Sequence, residues 1–347
     1  MKTPWGSRSP ASVALLLPLL VAIAVLALAS CGGASTAAST SPSAMTSPSA
    51  EPSPSATPLP TPTVAGTIAF ERVVRPGEGG NGDIYVVNAD GTGLKALAEA
   101  PGWEDHPSWS PDGSRIVYDV IAEGSDDIED ATVWVMNADG SGKVKLTKGS
   151  GRGAWPTWSP DGKQIAFIRL LLPERFATFV INADGSGLKR VTRPAAGTSP
   201  GTQADENSPT WAPNGKILLL RLGQVFAVNP DGSGLVQLTK GENIIWFALS
   251  PDGKRIAVHY NNSDRVAVVP AHGGGTPVTL LDPVSDFIPN DPKAAPAWTL
   301  DGHALAVASS DYLGFYGSRL YIVNADGSGL SAVPGIDNAE DPAWRPR

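Results

Sequence analysis

The chain of 347 residues contains one cysteine, Cys31, and four histidines. A single cysteine cannot close an intramolecular disulfide, so the folded part must be held by packing alone. The histidines, His106, His259, His272 and His303, are dispersed and match no metal spacing such as H-E-x-x-H. No metal ligand set, cofactor motif or catalytic constellation is therefore expected. Basic residues are also scarce, with 26 Lys and Arg against 34 Asp and Glu and a net charge of −8. Nucleic acid is excluded as an expected partner, because its phosphates demand a basic surface. Beyond residue 29 there is no long apolar run, and the folded part shows no helical pattern.

What is present begins with residues 1–30. Lys2 and Arg8 precede an apolar run over residues 11–29 that leads into Leu28-Ala29-Ser30-Cys31. This segment resembles a bacterial lipoprotein signal with its lipobox. The resemblance implies export and acylation of Cys31. It also implies anchoring to the outer face of the cytoplasmic membrane, or to the outer membrane in a two-membrane cell. The alternative is an uncleaved membrane anchor, since a spanning helix needs roughly 17 to 25 apolar residues. Pro18 and the small residues before Cys31 favour cleavage. Residues 31–63 are almost entirely Ser, Thr, Ala and Pro. Such a composition buries too little apolar surface to offset the entropy of ordering, so it reads as a tether. At about 3 Å per residue it reaches up to roughly 100 Å from the membrane. Without Lys2 and Arg8 the chain carries 24 basic and 34 acidic residues, a net charge of −10.

Residues 64–347 are organised by repetition. A short hydrophobic strand, a turn built on Asp-Gly and a second strand recur at residues 84–94 (IYVVNADGTGL), 133–144 (VWVMNADGSGKV), 179–188 (FVINADGSGL), 226–235 (FAVNPDGSGL) and 320–330 (LYIVNADGSGL). Residues 266–280 (VAVVPAHGGGTPVTL) form a weaker sixth copy. A second motif, W-S-P-D-G followed by residues like I-A-F, lies between them at Trp109, Trp158, Trp211 (WAPNG), Leu249 (LSPDG) and Trp298 (WTLDG). A period of about 40–50 residues with several strands and no helix means one propeller blade per repeat. Six strand pairs meet only five internal W-x-P-D-G-like motifs, and the missing one stands at residues 341–346 (DPAWRP). The expectation is an all-β, six-bladed propeller of four-stranded antiparallel blades. Its C-terminal strand would be innermost in the blade that begins with residues 67–73 (TIAFERV), closing the ring and covering sheet edges.

The two quoted motifs resemble those of the TolB family and its WD40-like (PD40) repeats over about residues 64–347. The resemblance implies fold. Similar blades occur in secreted binding proteins, in the noncatalytic part of prolyl-oligopeptidase-like peptidases and in some polysaccharide lyases. TolB has an additional N-terminal domain where this chain has the tether, so its partners are not carried over.

Both turns follow one recipe. Pro at the second position, as in Ser110-Pro111-Asp112-Gly113 and Asn229-Pro230-Asp231-Gly232, suits a type I turn, and Gly at the fourth accepts a positive φ. Asn, Ser and Asp side chains cap the bend. The recurring Trp109, Trp158, Trp211, Trp298 and Trp344 read as packing residues between blades. Three other motif matches fail. Residues 88–99 mimic a calcium loop, but the repeats place Lys148, Arg193, Lys240 and Gly335 where that loop needs Glu. The G-x-G-x-x-G at residues 77–82 runs into a strand, which offers no helix N-terminus to a pyrophosphate. In the G-x-S-x-G at residues 197–201, Pro200 follows the serine and has no N–H for an oxyanion hole.

In a four-stranded blade the tight turns share one face and the long, irregular loops the other. The acidic excess falls on the long-loop face, where binding residues concentrate. Register on the inner-strand Trp places His106, Trp155, Ser208, Trp246, Ala295 and Asp341 in a ring at the axial mouth, each three residues earlier. Trp103, Glu104, Asp105, Glu206, Asn207 and Glu340 flank it. Trp155 and Trp246 either serve binding or plug the channel. The leading expectation is a monomeric, noncatalytic, membrane-tethered binding module for an envelope protein or peptide, cationic in character. The alternative is a carbohydrate-binding protein or a mouth enzyme, a polysaccharide lyase or hydrolase, using His106 with Asp105, Glu206 or Asp341.

Overall fold

A computed structural model describes residues 65–73, 81–125, 130–148, 153–171, 175–193, 207–261, 265–272, 277–281, 296–310 and 318–346. The signal segment, the tether with Cys31, the loop with Pro200, Glu206 and Ala295 lie outside the described residues. Those described form six four-stranded antiparallel sheets and no helix. Hence none offers a helix long and apolar enough to cross a membrane.

Blade 1 pairs Thr67–Val73, Gly82–Asn88 and Lys95–Ala98 with Ala339–Trp344 as its innermost strand. Closure by the C-terminal strand, expected from the displaced last motif, is what the sheet order shows. Blades 2 to 6 each run outward in chain order. Their innermost strands are Gly102–Trp109, Gly153–Trp158, Asn207–Trp211, Ile244–Leu249 and Ala297–Trp298. The degraded repeat at residues 266–280 supplies Val266–Pro270 and Val278–Leu281, so blade 5 is complete.

The I-A-F segments explain how blades stack. In blade 2 the second strand, Arg115–Ala122, buries four consecutive residues from Ile116 to Asp119. Ile116 packs into a core shared with Ala69 and Ile84 of blade 1, whereas Val117 joins Phe167 and Phe179 of blade 3. Successive side chains point to opposite faces of a strand, so a strand sandwiched between two blades is apolar on both faces, as Ile116, Val117 and Tyr118 are here. The outermost strands of blades 2 and 3 show the reverse. Val144–Lys145 and Lys189–Arg190 have two residues each, both exposed. Short, basic edges resist pairing with another chain.

The turns follow the expected chemistry. Gly113 donates its N–H to Ser110 O at 2.8 Å and has φ 64°, closing a type I turn with a left-handed fourth residue. Asp112 Oδ1 accepts from the Ser110 and Ser114 hydroxyls, which holds its carboxyl down at about 2. The Asp-Gly turns have a further role that turn chemistry does not require. A Cβ on Gly140 of blade 2 would lie 2.7 Å from Leu97 O of blade 1, and one on Gly327 of blade 6 would lie 2.8 Å from Thr279 O of blade 5. Each turn thus rests on the outer strand of the preceding blade. The repeated Trp residues also bridge blades: Trp298 Nε1 donates to Ala248 O at 3.0 Å, and Trp109 Nε1 to Ala343 O at 3.2 Å. Arg115, Arg255 and Arg345 lie over the rings of Trp158, Trp298 and Trp109 at 4.5, 4.8 and 5.0 Å.

Candidate functional site

Proline sets the local geometry of the mouth. His106, Trp155, Ser208 and Asp341 are each followed by a proline. Proline has no N–H for the ladder, so pairing breaks there. The register slips between Asp105 and Ser108, between Ala154 and Thr157, and between Asn207 and Thr210, with a matching slip opposite Asp341. The four residues before proline adopt φ of 51°, 50°, 45° and 45°, a left-handed conformation that costs a non-glycine residue about 1–2 kcal/mol. In blade 5 the slip falls one residue earlier, between Ile244 and Trp246, and Trp246 pairs with His259, precedes Phe247 and is not left-handed. All five side chains line one axial cavity of about 250 Å³, together with Pro209, Pro296 and Pro342.

A second layer backs this ring, and the sequence reading missed it. The residue directly after each I-A-F segment is Glu71, Asp119, Ile168, Leu220, His259 or Ala308, and all six are buried. Asp119 is paired across from Asp105, Glu71 from Glu340 and His259 from Trp246. The detectable signal was the same ruler that found the ring: a Glu, an Asp and a His at a position where the other copies carry apolar residues.

In blades 1 and 2 the two layers form a polar cluster. His106 Nδ1 lies 3.0 Å from Asp119 Oδ1 and 3.6 Å from Asp105 Oδ1, while Nε2 lies 3.6 Å from Asp341 Oδ2. The His106 backbone N–H donates to Asp105 Oδ1 at 2.8 Å, and that of Trp155 donates to Asp119 Oδ1 at 3.2 Å. Burial opposes protonation of His106, but Asp105, Asp119 and Asp341 together outweigh it and push the imidazole up to about 10. Burial raises Asp341 well above the carboxylate range, against the pull of His106, and Asp105 and Glu340 add to the rise. Burial raises Asp119 as well, against the pull of His106, so His106 is held as an imidazolium while Asp119 and Asp341 release their protons less readily than free carboxyls.

The ring continues as an aromatic wall. The His106 and Trp155 rings meet edge to face at 5.1 Å, and those of Trp155 and Trp246 at 6.1 Å. Ser208 lies between these two tryptophans in blade order, and its Oγ is buried with no hydrogen-bond partner among the described residues. Asp105, His106 and Asp341 also offer three ligand atoms within 4.8 Å of one another. A metal there would have to displace the proton on His106 Nε2.

Not every flanking candidate reaches the mouth. Trp103 and Glu104 do not line the cavity. Glu104 is 2% exposed beside Asp83, and burial followed by that neighbour's charge raises its carboxyl to about 8. A Cβ on Gly82 would lie 2.8 Å from Trp103 Cε3, so that ring covers the blade 1 strand rather than the axis. Glu340 is half-buried beside Asp341, and Asn207 occupies the first position of its strand.

Residues 72–223 match the family model of the TolB beta propeller domain, PD40. No curated protein matches the sequence. Among solved structures, TolB from Acinetobacter baumannii is similar, with a TM-score of 0.65, 19% identity and coverage of 81% of this chain and 67% of that one. A putative TolB from Agrobacterium tumefaciens has a TM-score of 0.56 and 14% identity over 80% of this chain and 91% of that one. The hydrazine synthase of Kuenenia stuttgartiensis has a TM-score of 0.61 and 13% identity, over 81% of this chain and only 47% of that one. Identities this low establish the fold alone. Residues 72–223 are thus similar to the TolB beta propeller domain, and this segment lies within a six-bladed ring that extends beyond it.

Proposed function

We propose that this protein is a noncatalytic binding propeller that captures an envelope protein or peptide through its axial mouth. One observation carries the reading: four blades repeat the same strained backbone before proline, yet present histidine, tryptophan, serine and aspartate there. Strain repeated at a cavity while side chains vary is the signature of a recognition layer on a structural frame. The acidic, aromatic mouth selects a positively charged partner. Export and attachment through lipidated Cys31 place it in the envelope as a monomer on a tether.

The test is capture from an envelope extract by immobilised wild-type protein, Asp341→Asn and, on the opposite face, Asp90→Asn. A specific partner is expected with wild type and Asp90→Asn and lost with Asp341→Asn. Equal recovery by all three overturns the reading. Palmitate labelling that persists in Cys31→Ser would overturn the anchor.

A second reading has one observation in its favour. Asp119 orients His106 so that Nε2 faces the cavity, a geometry suited to a general acid or base. Against an oligosaccharide substrate stands the volume, since the cavity is smaller than the roughly 300–1,000 Å³ of sites that engulf drug-sized ligands. Turnover of any oligosaccharide that disappears in His106→Gln would favour the enzyme.

A further inference from the structure

We propose that the mouth is a receptor for one arginine side chain, presented by an extended segment of the partner; this rests on the binding reading above and names its ligand. Three independent features converge on a guanidinium.

Size comes first. A cavity of about 250 Å³ ringed by prolines holds one long side chain, not a folded surface. Proline has no rotamer freedom to lose, so the neck is preformed for such a probe.

Charge and its placement come second. In a ring of six, blade 1 stands opposite blade 4, so Asp341 faces Ser208 across the axis. Three carboxyls surround one imidazole, and a cation entering beside Asp341 favours ionisation of a carboxyl that burial disfavours. Ser208 is 8% exposed, lines the cavity, and its Oγ has no partner among the described residues. A buried hydroxyl without a partner is costly, and a ligand N–H directed at it removes that cost. A guanidinium carries five N–H donors in a planar fork, enough to reach a carboxylate on one side and a hydroxyl on the other.

The aromatic wall comes third. Trp155 and Trp246 flank the Ser208 position with their rings inclined at 67°. Trp155 is 8% exposed, so the half-buried Trp246, braced against it, is the ring open to a flat cation. A guanidinium stacks there and is weakly hydrated, so little is lost on leaving water. An ammonium is a compact, strongly hydrated point charge with three donors, and it gives up more solvation than this half-apolar recess restores.

Titration calorimetry on the full chain tests the proposal with four probes: N-acetyl-arginine amide, N-acetyl-lysine amide, N-acetyl-citrulline amide and calcium chloride. Arginine amide is expected to saturate one site, lysine amide to bind about tenfold more weakly, and the neutral citrulline amide not to bind. Asp341→Asn and Trp246→Ala should each weaken arginine binding about tenfold or more. Ser208→Ala, which removes only a hydroxyl and leaves the fold intact, should weaken it severalfold. Citrulline amide binding as well as arginine amide overturns the proposal, as does unaltered arginine binding in Asp341→Asn and Ser208→Ala. Saturation by calcium without arginine binding overturns it as well. If arginine amide fails while partner capture still depends on Asp341, the arginine assignment falls and the binding reading stands; if both fail, both fall.

Discussion

Asp119 and Trp155 belong to neighbouring blades, and the Trp155 backbone N–H donates to Asp119 Oδ1 at 3.2 Å. The same oxygen lies 3.0 Å from His106 Nδ1. One buried carboxylate atom therefore fixes both the orientation of the histidine and the left-handed bend that aims the tryptophan at the axis. The polar and aromatic halves of the mouth are joined through it.

Replacing Asp119 with Asn should separate these roles. The amide keeps the shape but removes a charge, so His106 loses part of what outweighs its burial. Its titration, followed by the imidazole proton resonances, should move down from about 10. Trp155 should lose rigidity, seen as a shifted fluorescence maximum. A purely structural role for Asp119 predicts no movement of the histidine titration.

Among the groups whose protons folding holds, Glu104 and His106 give the fold an alkaline liability in different windows. Glu104 is raised from 4.5 to about 8 by burial and Asp83, and His106 from 6.5 to about 10 by its carboxyl neighbours acting against burial. A raised folded-state value means that the folded chain holds a proton the unfolded chain has released. The stability linked to Glu104 is therefore complete below pH 4.5 and is lost as pH climbs through 8. That linked to His106 is complete below 6.5 and lost through 10. The melting temperature should fall steadily from pH 5 to 10. Glu104→Gln should flatten the lower part of the profile and His106→Gln the upper part. A profile unchanged in both variants would show that neither proton is held by folding.

Much of this was legible in the sequence because a propeller repeats. Blade number, strand order and closure followed from the register of two motifs, even where residues 266–280 had lost theirs. The ring of His106, Trp155, Ser208, Trp246 and Asp341 came from the same register. What was not legible is contact in three dimensions. Glu104 neighbours Asp105 in sequence, yet alternation along the strand sends it between blades 1 and 2 and away from the axis. Asp119 is 13 residues from His106, and only pairing across the blade brings them together. The inter-blade role of the Asp-Gly turns was hidden for a similar reason, since turn chemistry already accounted for their glycines.

The C-terminal segment acts as a clasp between blades 1 and 2. Arg345 donates its backbone N–H to Thr67 O at 2.8 Å and its Nε to Gly113 O at 3.0 Å, and its guanidinium covers Trp109. Trp344 is buried in the core shared by blades 1 and 6. Trp344→Ala should cost about 3–5 kcal/mol, in line with deletion of a buried aromatic. Arg345→Ala should cost about 1–2 kcal/mol through the lost cation–π contact and hydrogen bonds. Ending the chain at residue 338 removes the innermost strand of blade 1 and bares an apolar edge, so that form should aggregate on size exclusion. A monomeric truncation with an unchanged melting temperature would remove closure as a source of stability.

At the Asp-Gly turn of blade 2, turn geometry and blade packing can be separated by comparing Gly140 with Gly215 of the Asn-Gly turn in WAPNG. Gly140 has φ 90° and Gly215 has φ 78°, so alanine meets the same left-handed penalty at both, about 1–2 kcal/mol. Their surroundings differ. A Cβ at Gly215 meets nothing within 4 Å, whereas one at Gly140 comes within 2.7 Å of Leu97 O and 3.2 Å of Leu97 Cα in the preceding blade. Backbone cannot step aside as a side-chain tip can, so Gly140→Ala must shift blade 2 against blade 1 or distort the turn. Its loss of stability should exceed that of Gly215→Ala by at least about 1 kcal/mol, the scale of an overpacked contact. Thermal melts of the two variants at one pH measure the difference. Equal losses would mean that turn geometry alone keeps glycine at Gly140, and the turns would then have no part in holding neighbouring blades together.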